Sequence, residues 1–151
     1  VADLTIREVA VADSEAIARL VSELGYPTST SQMHRRLETI AHDEDYQTLV
    51  ACDGVDIVGF IGTRSGPLYE DDELYGQVMA LAVARSHQRR GIGRMLLRRA
   101  ESRLGERGVR ILVVTTGSHR ADAHAFYENS GYSFTGRRYK KLNATARSTT
   151  G

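Results

Sequence analysis

The stretch from Leu81 to Leu97, reading Leu-Ala-Val-Ala-Arg-Ser-His-Gln-Arg-Arg-Gly-Ile-Gly-Arg-Met-Leu-Leu, constrains this chain more than any other. An apolar strand ends near Val83, a polar loop carries Gln88, Arg89 and Arg90, and Gly91 and Gly93 open a helix whose apolar positions begin at Ile92. Strand, turn and helix in such close order call for an α/β architecture. The junction is also suited to an anion. The first N–H groups of a helix have no internal acceptor, and glycine lets a ligand come close to the backbone. With the positive end of the helix dipole and three arginines (Arg89, Arg90 and Arg94), the junction suits a diphosphate. Glycine also serves tight strand-to-helix turns for steric reasons alone, so Gly91 and Gly93 by themselves leave both readings open.

The rest of the chain supplies strands and helices around that unit. Leu4 to Val9 alternates like a half-buried strand, and Asp13 is placed to cap a helix with Ile17, Leu20, Val21 and Leu24 inward and Gly25 at its end. Ser29 and Gln32 have capping-box spacing before a second helix that buries Met33, Leu37 and Ile40. Asp53-Gly54 between two β-rich runs predicts a hairpin, and a second hairpin leads through the acidic run Glu70-Asp71-Asp72-Glu73 to a strand over 75–83. Ile111 to Val114 reads as a strand covered on both faces. A short helix holding Ala123, Phe126 and Tyr127 stops at Gly131, two short strands are expected around Gly136 between Tyr132 and Lys141, and residues 143–151 read as a disordered tail. These elements predict one α/β domain with a mixed sheet.

Two strings in this order and spacing carry a resemblance. Gln88-Arg89-Arg90-Gly91-Ile92-Gly93 follows a strand ending Leu-Ala-Val, and Ala123-His124-Ala125-Phe126-Tyr127-Glu128-Asn129-Ser130-Gly131-Tyr132 follows some thirty residues later. Together they resemble the acetyl-CoA and Tyr-containing motifs of the GNAT superfamily of acetyl-CoA-dependent N-acetyltransferases, over a domain spanning residues 1–142. The resemblance implies a mostly antiparallel mixed sheet, splayed in the middle between the strands at 75–83 and 110–115 and flanked by about four helices. It implies acetyl-CoA as co-substrate. Backbone groups of Leu81, Ala82 and Val83 would pair with the pantetheine arm, and the N–H groups of Gln88, Arg89, Arg90, Gly91, Ile92, Gly93 and Arg94 would hold the pyrophosphate. Tyr127 would protonate the leaving thiolate, and Tyr26, between the first two helices, would border the acceptor.

The sequence departs from the family pattern at two of these positions. Gln77 stands where histone-type members carry a glutamate base, and an amide takes no proton at neutral pH. By simple alternation Gln77 shares a face with Met79, Leu81 and Val83, where it could orient a water or the acceptor. Glu73, His124 or a water chain are the substitutes for the base. Arg120 occupies the place of a pantetheine-contacting asparagine and could reach a phosphate instead.

Charge and composition bound the alternatives. Nine arginines lie between Arg85 and Arg110 against Glu101 and Glu106, while the net charge of the whole chain is +1. Such a stripe can meet nucleic acid, but Arg98, Arg99 and Arg103 read as the solvated face of a helix, and nucleic acid is set aside as a partner. The five histidines lack the spacing of a metal site, and the single cysteine, Cys52, excludes an internal disulfide. No apolar run is long enough to span a bilayer and no signal-peptide pattern opens the chain, so a cytoplasmic protein is expected. The resemblance implies a primary amine of a small molecule or peptide as acceptor, and the acidic run tilts the expectation towards cations. A homodimer fits the resemblance, although no feature fixes it. The competing reading is a non-catalytic acyl-CoA-binding sensor or scaffold.

Overall fold

The structure, a computed structural model, describes residues 4–116 and 121–146. These fall into two compact units, one reaching to Val114 and one starting at Thr115. The first unit holds a five-stranded sheet: β1 (Leu4–Glu8), β2 (Tyr46–Asp53), β3 (Asp56–Gly66), β4 (Leu74–Val83) and β5 (Val109–Val114), in that spatial order. The first three pairings are antiparallel. The β4–β5 pairing is parallel, and helix α3 (Ile92–Glu106) makes the crossover between those two strands. This is the expected α/β fold with a mostly antiparallel mixed sheet. Helices α1 (Ser14–Glu23) and α2 (Thr30–Ala41) complete the first unit, and α4 (Ala121–Asn129) belongs to the second.

The core forms where apolar faces meet. Ile17, Ala18 and Leu20 of α1 and Met33 and Leu37 of α2 bury against Val50, Cys52, Phe60 and Ala82 of the sheet, placing the lone cysteine inside. Ile92, Leu96, Leu97, Ala100 and Leu104 of α3 are likewise buried. Gly59 lets α3 lie close to the sheet: a Cβ there would sit 3.1 Å from both the Ala82 carbonyl oxygen and Leu96 Cδ1. The Ser29–Gln32 capping box forms as expected, with Gln32 N–H donating to Ser29 Oγ at 3.1 Å and Ser29 N–H to Gln32 Oε1 at 2.9 Å.

Four expectations need correction. Asp13 makes no side-chain cap on α1, because a 3-10 turn over Val11–Asp13 comes first. Its carboxylate turns back to accept from Ala10 N–H at 2.7 Å and from Arg7 at 2.8 and 3.0 Å. The first hairpin loop is Gly54-Val55, one residue later than Asp53-Gly54, since Asp53 pairs with Asp56. Strand β5 is not covered on both faces: it ends the sheet, and Val113 is 37% exposed. Residues 132–141 form no strand and, apart from Tyr132, are exposed. Alternating β-prone residues specify a strand only where a ladder partner and a covered face exist.

Candidate active site

The β4–β5 ladder stops at Val78–Val114, but β4 continues to Val83. β5 ends at that pair, so from Met79 onward β4 has no β5 partner. Ala82 is buried there, with Leu81 and Val83 half-buried. Gln88 reaches back to this segment, its Nε2 donating to the Val83 carbonyl at 3.2 Å.

The β4–α3 loop is organised by backbone conformation. Arg89 has φ +64° and Gly91, the N-cap of α3, has φ +80°. Arg89 is the only non-glycine residue of positive φ among the described residues, and Arg90 between the two has negative φ. Alternating hand along a short segment turns successive N–H groups towards one side, which makes an anion-binding concavity. The helix adds to it. Gly91 offers no side-chain cap, and the first helical bond runs from Met95 N–H to the Gly91 carbonyl at 3.0 Å. The N–H groups of Ile92, Gly93 and Arg94 therefore have no acceptor within the helix. Arg89, Arg90 and Arg94 are exposed, and among the described residues none makes an ion pair. Free N–H donors, a helix dipole and three unpaired guanidinium groups fit a diphosphate.

The loop is anchored at its start. His87 Nε2 lies 3.0 Å from Asp53 Oδ2, tying the loop to the β2–β3 hairpin, and Ser86 Oγ is 2.7 Å from His87 Nδ1. Arg85 N–H donates to Glu23 Oε2 of α1 at 3.3 Å. Further along α3, Arg103 pairs with Glu8 at 3.0 Å, while Arg98 and Arg99 are exposed.

Gln77 does not share a face with Leu81 and Val83. The β3–β4 register passes from Thr63–Val78 to Gly62–Ala80, so Met79 is an extra residue, a β-bulge. The bulge reverses the alternation. Gln77 pairs with Arg64, Ala80 with Gly62 and Ala82 with Phe60, which puts Gln77 on the α1/α2 face; Leu81 and Val83 are on the α3 face. Nothing in the local sequence marks Met79 as a bulge. Glu73, one substitute for the base, is held by Arg110 at 3.2 Å. Tyr26 is 67% exposed.

In the second unit Tyr127 lies in the last turn of α4. Gly131 N–H donates to the Glu128 carbonyl at 3.1 Å and Tyr132 N–H to the Tyr127 carbonyl at 3.0 Å, with Gly131 at φ +94°. This is a Schellman cap. Its characteristic apolar contact is the Tyr127–Tyr132 ring pair, edge to face with centroids 5.6 Å apart, and Phe126 packs edge-on to Tyr127 at 5.1 Å. The five-residue spacing from Tyr127 to Tyr132 is thus a helix-capping spacing. Arg120 and residues 147–151 of the expected tail lie outside the described residues.

The match to the acetyltransferase (GNAT) family model covers residues 14–132. The chain belongs to the GNAT acetyltransferase family. Solved structures share the fold. A GNAT family acetyltransferase from Staphylococcus aureus subsp. aureus USA300_TCH1516 superposes with a TM-score of 0.80 at 22% identity, covering 93% of this chain and 99% of that one. A transcriptional regulator from Bacillus halodurans C-125 gives 0.83 at 26% identity over 93% and 99% of the two chains. An aminoglycoside N-acetyltransferase in complex with CoA gives 0.83 at 16% identity over 93% and 95%. No curated protein matches the chain by sequence. No described helix is long and apolar enough to cross a membrane.

Proposed function

We propose that this GNAT protein is an N-acetyltransferase that moves an acetyl group from acetyl-CoA to a primary amine, with residues 1–142 as its catalytic domain. The observation that carries the reading is the Met79–Val83 segment of β4, which β5 does not pair, leading straight to the uncapped N-terminus of α3. An extended arm suits the first and a diphosphate the second. In this reading Leu81, Ala82 and Val83 hold the pantetheine arm through their backbone, and the segment Gln88, Arg89, Arg90, Gly91, Ile92, Gly93 and Arg94 holds the pyrophosphate. Acetyl-CoA supplies an acyl group activated as a thioester.

The chain must then manage protons. An amine with a pKa of ~10.4 costs about 4.6 kcal/mol to deprotonate at pH 7. Gln77 cannot accept that proton, and its place on the α1/α2 face gives it a positioning role towards water or the acceptor. After attack the oxyanion takes a backbone N–H from the end of β4. Tyr127 serves as the general acid for the leaving thiolate. A phenol of pKa ~10 keeps its proton at neutral pH and can hydrogen-bond the departing thiolate, whose thiol has a pKa of ~8.5. The family motif supports this role.

The test pairs acetyl-CoA titration with a thiol-release assay on mixed primary amines. Binding with amine-dependent thiol release establishes the enzyme. Gln77 at the base position favours one second reading, a sensor that keeps the acyl-CoA groove; it predicts binding without thiol release for any amine.

A further inference from the structure

The bulge at Met79 places a polar group beside Gln77 that the site has not yet used. Arg64 of β3 lies directly across from Gln77, and Tyr46 of β2 lies directly across from Arg64. The Arg64 guanidinium sits over the Tyr46 ring, 5.8 Å from its centroid, and Nη1 donates to the Tyr75 hydroxyl at 3.2 Å. All four residues are half-buried. Helices α1 and α2 pack on Ala80, Ala82 and Ala84, farther along the same strand and its end, and leave this polar group outside the core.

A guanidinium taken partly out of water gains from an anionic partner. Arg64 has none: among the described residues every ion pair involves another cation. Two aromatic residues hold the guanidinium in place, and among the described residues no other donor of its fork makes a hydrogen bond. Its position matters because Gln77 is two residues from Met79, the first residue of β4 beyond the β5 ladder. A donor substrate anchored at the N-terminus of α3 would leave the opposite, α1/α2 face for the second substrate. That face presents Arg64.

We propose that Arg64, braced by Tyr46 and Tyr75, is an acceptor-specificity residue, and that the acceptor amine also carries a carboxylate or phosphate that the guanidinium binds. The inference rests on the acetyl-transfer reading and fixes the acceptor's chemical class within it. It adds an anion to the expected tilt towards cationic acceptors; within the acidic run Glu73 pairs with Arg110, and Asp71 Oδ1 accepts from Glu73 N–H at 2.9 Å.

The experiment measures kcat/KM for matched acceptors that differ in the anion: amino acids against their carboxamides for the carboxylate, phosphoethanolamine against ethanolamine for the phosphate. The anionic member of at least one pair is expected to be preferred by about ten- to a hundredfold, expressed mainly in KM. Arg64→Gln should abolish the preference, Arg64→Lys should retain part of it, and Arg98→Gln on the exposed face of α3 should leave it intact. Acetyl-CoA titration of each variant reports whether it is folded; if Arg64→Gln is not, Tyr75→Phe, which removes one brace, should reduce the same ratio. Thiol release with equal use of both members, or a preference that survives Arg64→Gln, overturns the acceptor assignment while the transfer reading stands. Failure of the wild type to bind acetyl-CoA overturns both.

Discussion

Two glycines of similar conformation mark two helix ends, and the ends are finished in opposite ways. Gly91 at φ +80° opens α3 and leaves its first N–H groups without partners. Gly131 at φ +94° closes α4, and the Schellman bonds satisfy carbonyls that would otherwise be orphaned. Both glycines stand in motifs that read as functional, yet only the first leaves backbone chemistry available. At α4 the glycine and Tyr132 finish the helix, and the chemistry proposed for this motif rests on the side chain of Tyr127. A motif can therefore carry function through what it leaves unsatisfied or through what its cap holds steady.

The largest expected effect is at the closed end. Tyr127→Phe keeps the ring that packs against Tyr132 and removes the hydroxyl, so kcat should fall by about 10²- to 10⁴-fold, with acetyl-CoA affinity and Tm nearly unchanged. Steady-state kinetics beside calorimetry checks this, and a fall in Tm matching the loss of rate would reduce Tyr127 to a cap residue.

The open end responds through binding. Gly91→Ala forces a side chain into left-handed backbone at a cost of about 1–2 kcal/mol, and acetyl-CoA affinity should fall by roughly tenfold as the N–H groups lose their alignment. Gly131→Ala should cost a similar amount of stability and leave acetyl-CoA affinity alone. Equal effects on affinity would erase the distinction between the two ends.

Gly59→Ala sharpens the same point from beneath α3. Its Cβ would press on the Ala82 carbonyl and Leu96 Cδ1, both at 3.1 Å, so the chain should lose about 1 kcal/mol or more of stability through overpacking. Denaturant unfolding with an unchanged m-value would confirm it.

The smallest effect is at a third helix end, the start of α1. The Arg7 guanidinium holds the Asp13 carboxyl below its ordinary range, helped by the Ala10 N–H and opposed by burial. A depressed folded-state pKa gives stability that is present above the unfolded value and lost as pH falls through the folded one. Asp13→Asn should therefore cost up to about 1 kcal/mol near neutral pH, and less as the carboxylate protonates in acid. Thermal melts of the two proteins should draw together only as pH falls below the ordinary carboxylate value of 3.8 and through the depressed folded one.

The elements most legible in the sequence were those whose signal is local. The Ser29–Gln32 box, the Gly25 and Gly131 helix ends and the glycine turn at Gly91 each follow from a few adjacent residues, and the paired motifs led to the family. What escaped depends on pairing between distant strands. The bulge at Met79 is fixed by the β3–β4 register, so the alternation that grouped Gln77 with Leu81 and Val83 misled, and Arg64 stayed unnoticed because its meaning comes from facing Gln77. Asp13 and the expected strands after Tyr132 failed for a related reason: a local preference yields to whichever partner the fold supplies. Arg89 offers no signal at all, since arginine is not a residue that favours positive φ.

Isothermal titration of acetyl-CoA into the wild type and into a variant with Arg89, Arg90 and Arg94 all changed to glutamine tests the central claim most directly. Saturable binding by the wild type, with the variant at least about tenfold weaker and less sensitive to salt, is the predicted result. No binding by the wild type at about millimolar acetyl-CoA, or equal affinity in the two proteins, would contradict the assignment of the α3 N-terminus as the diphosphate site.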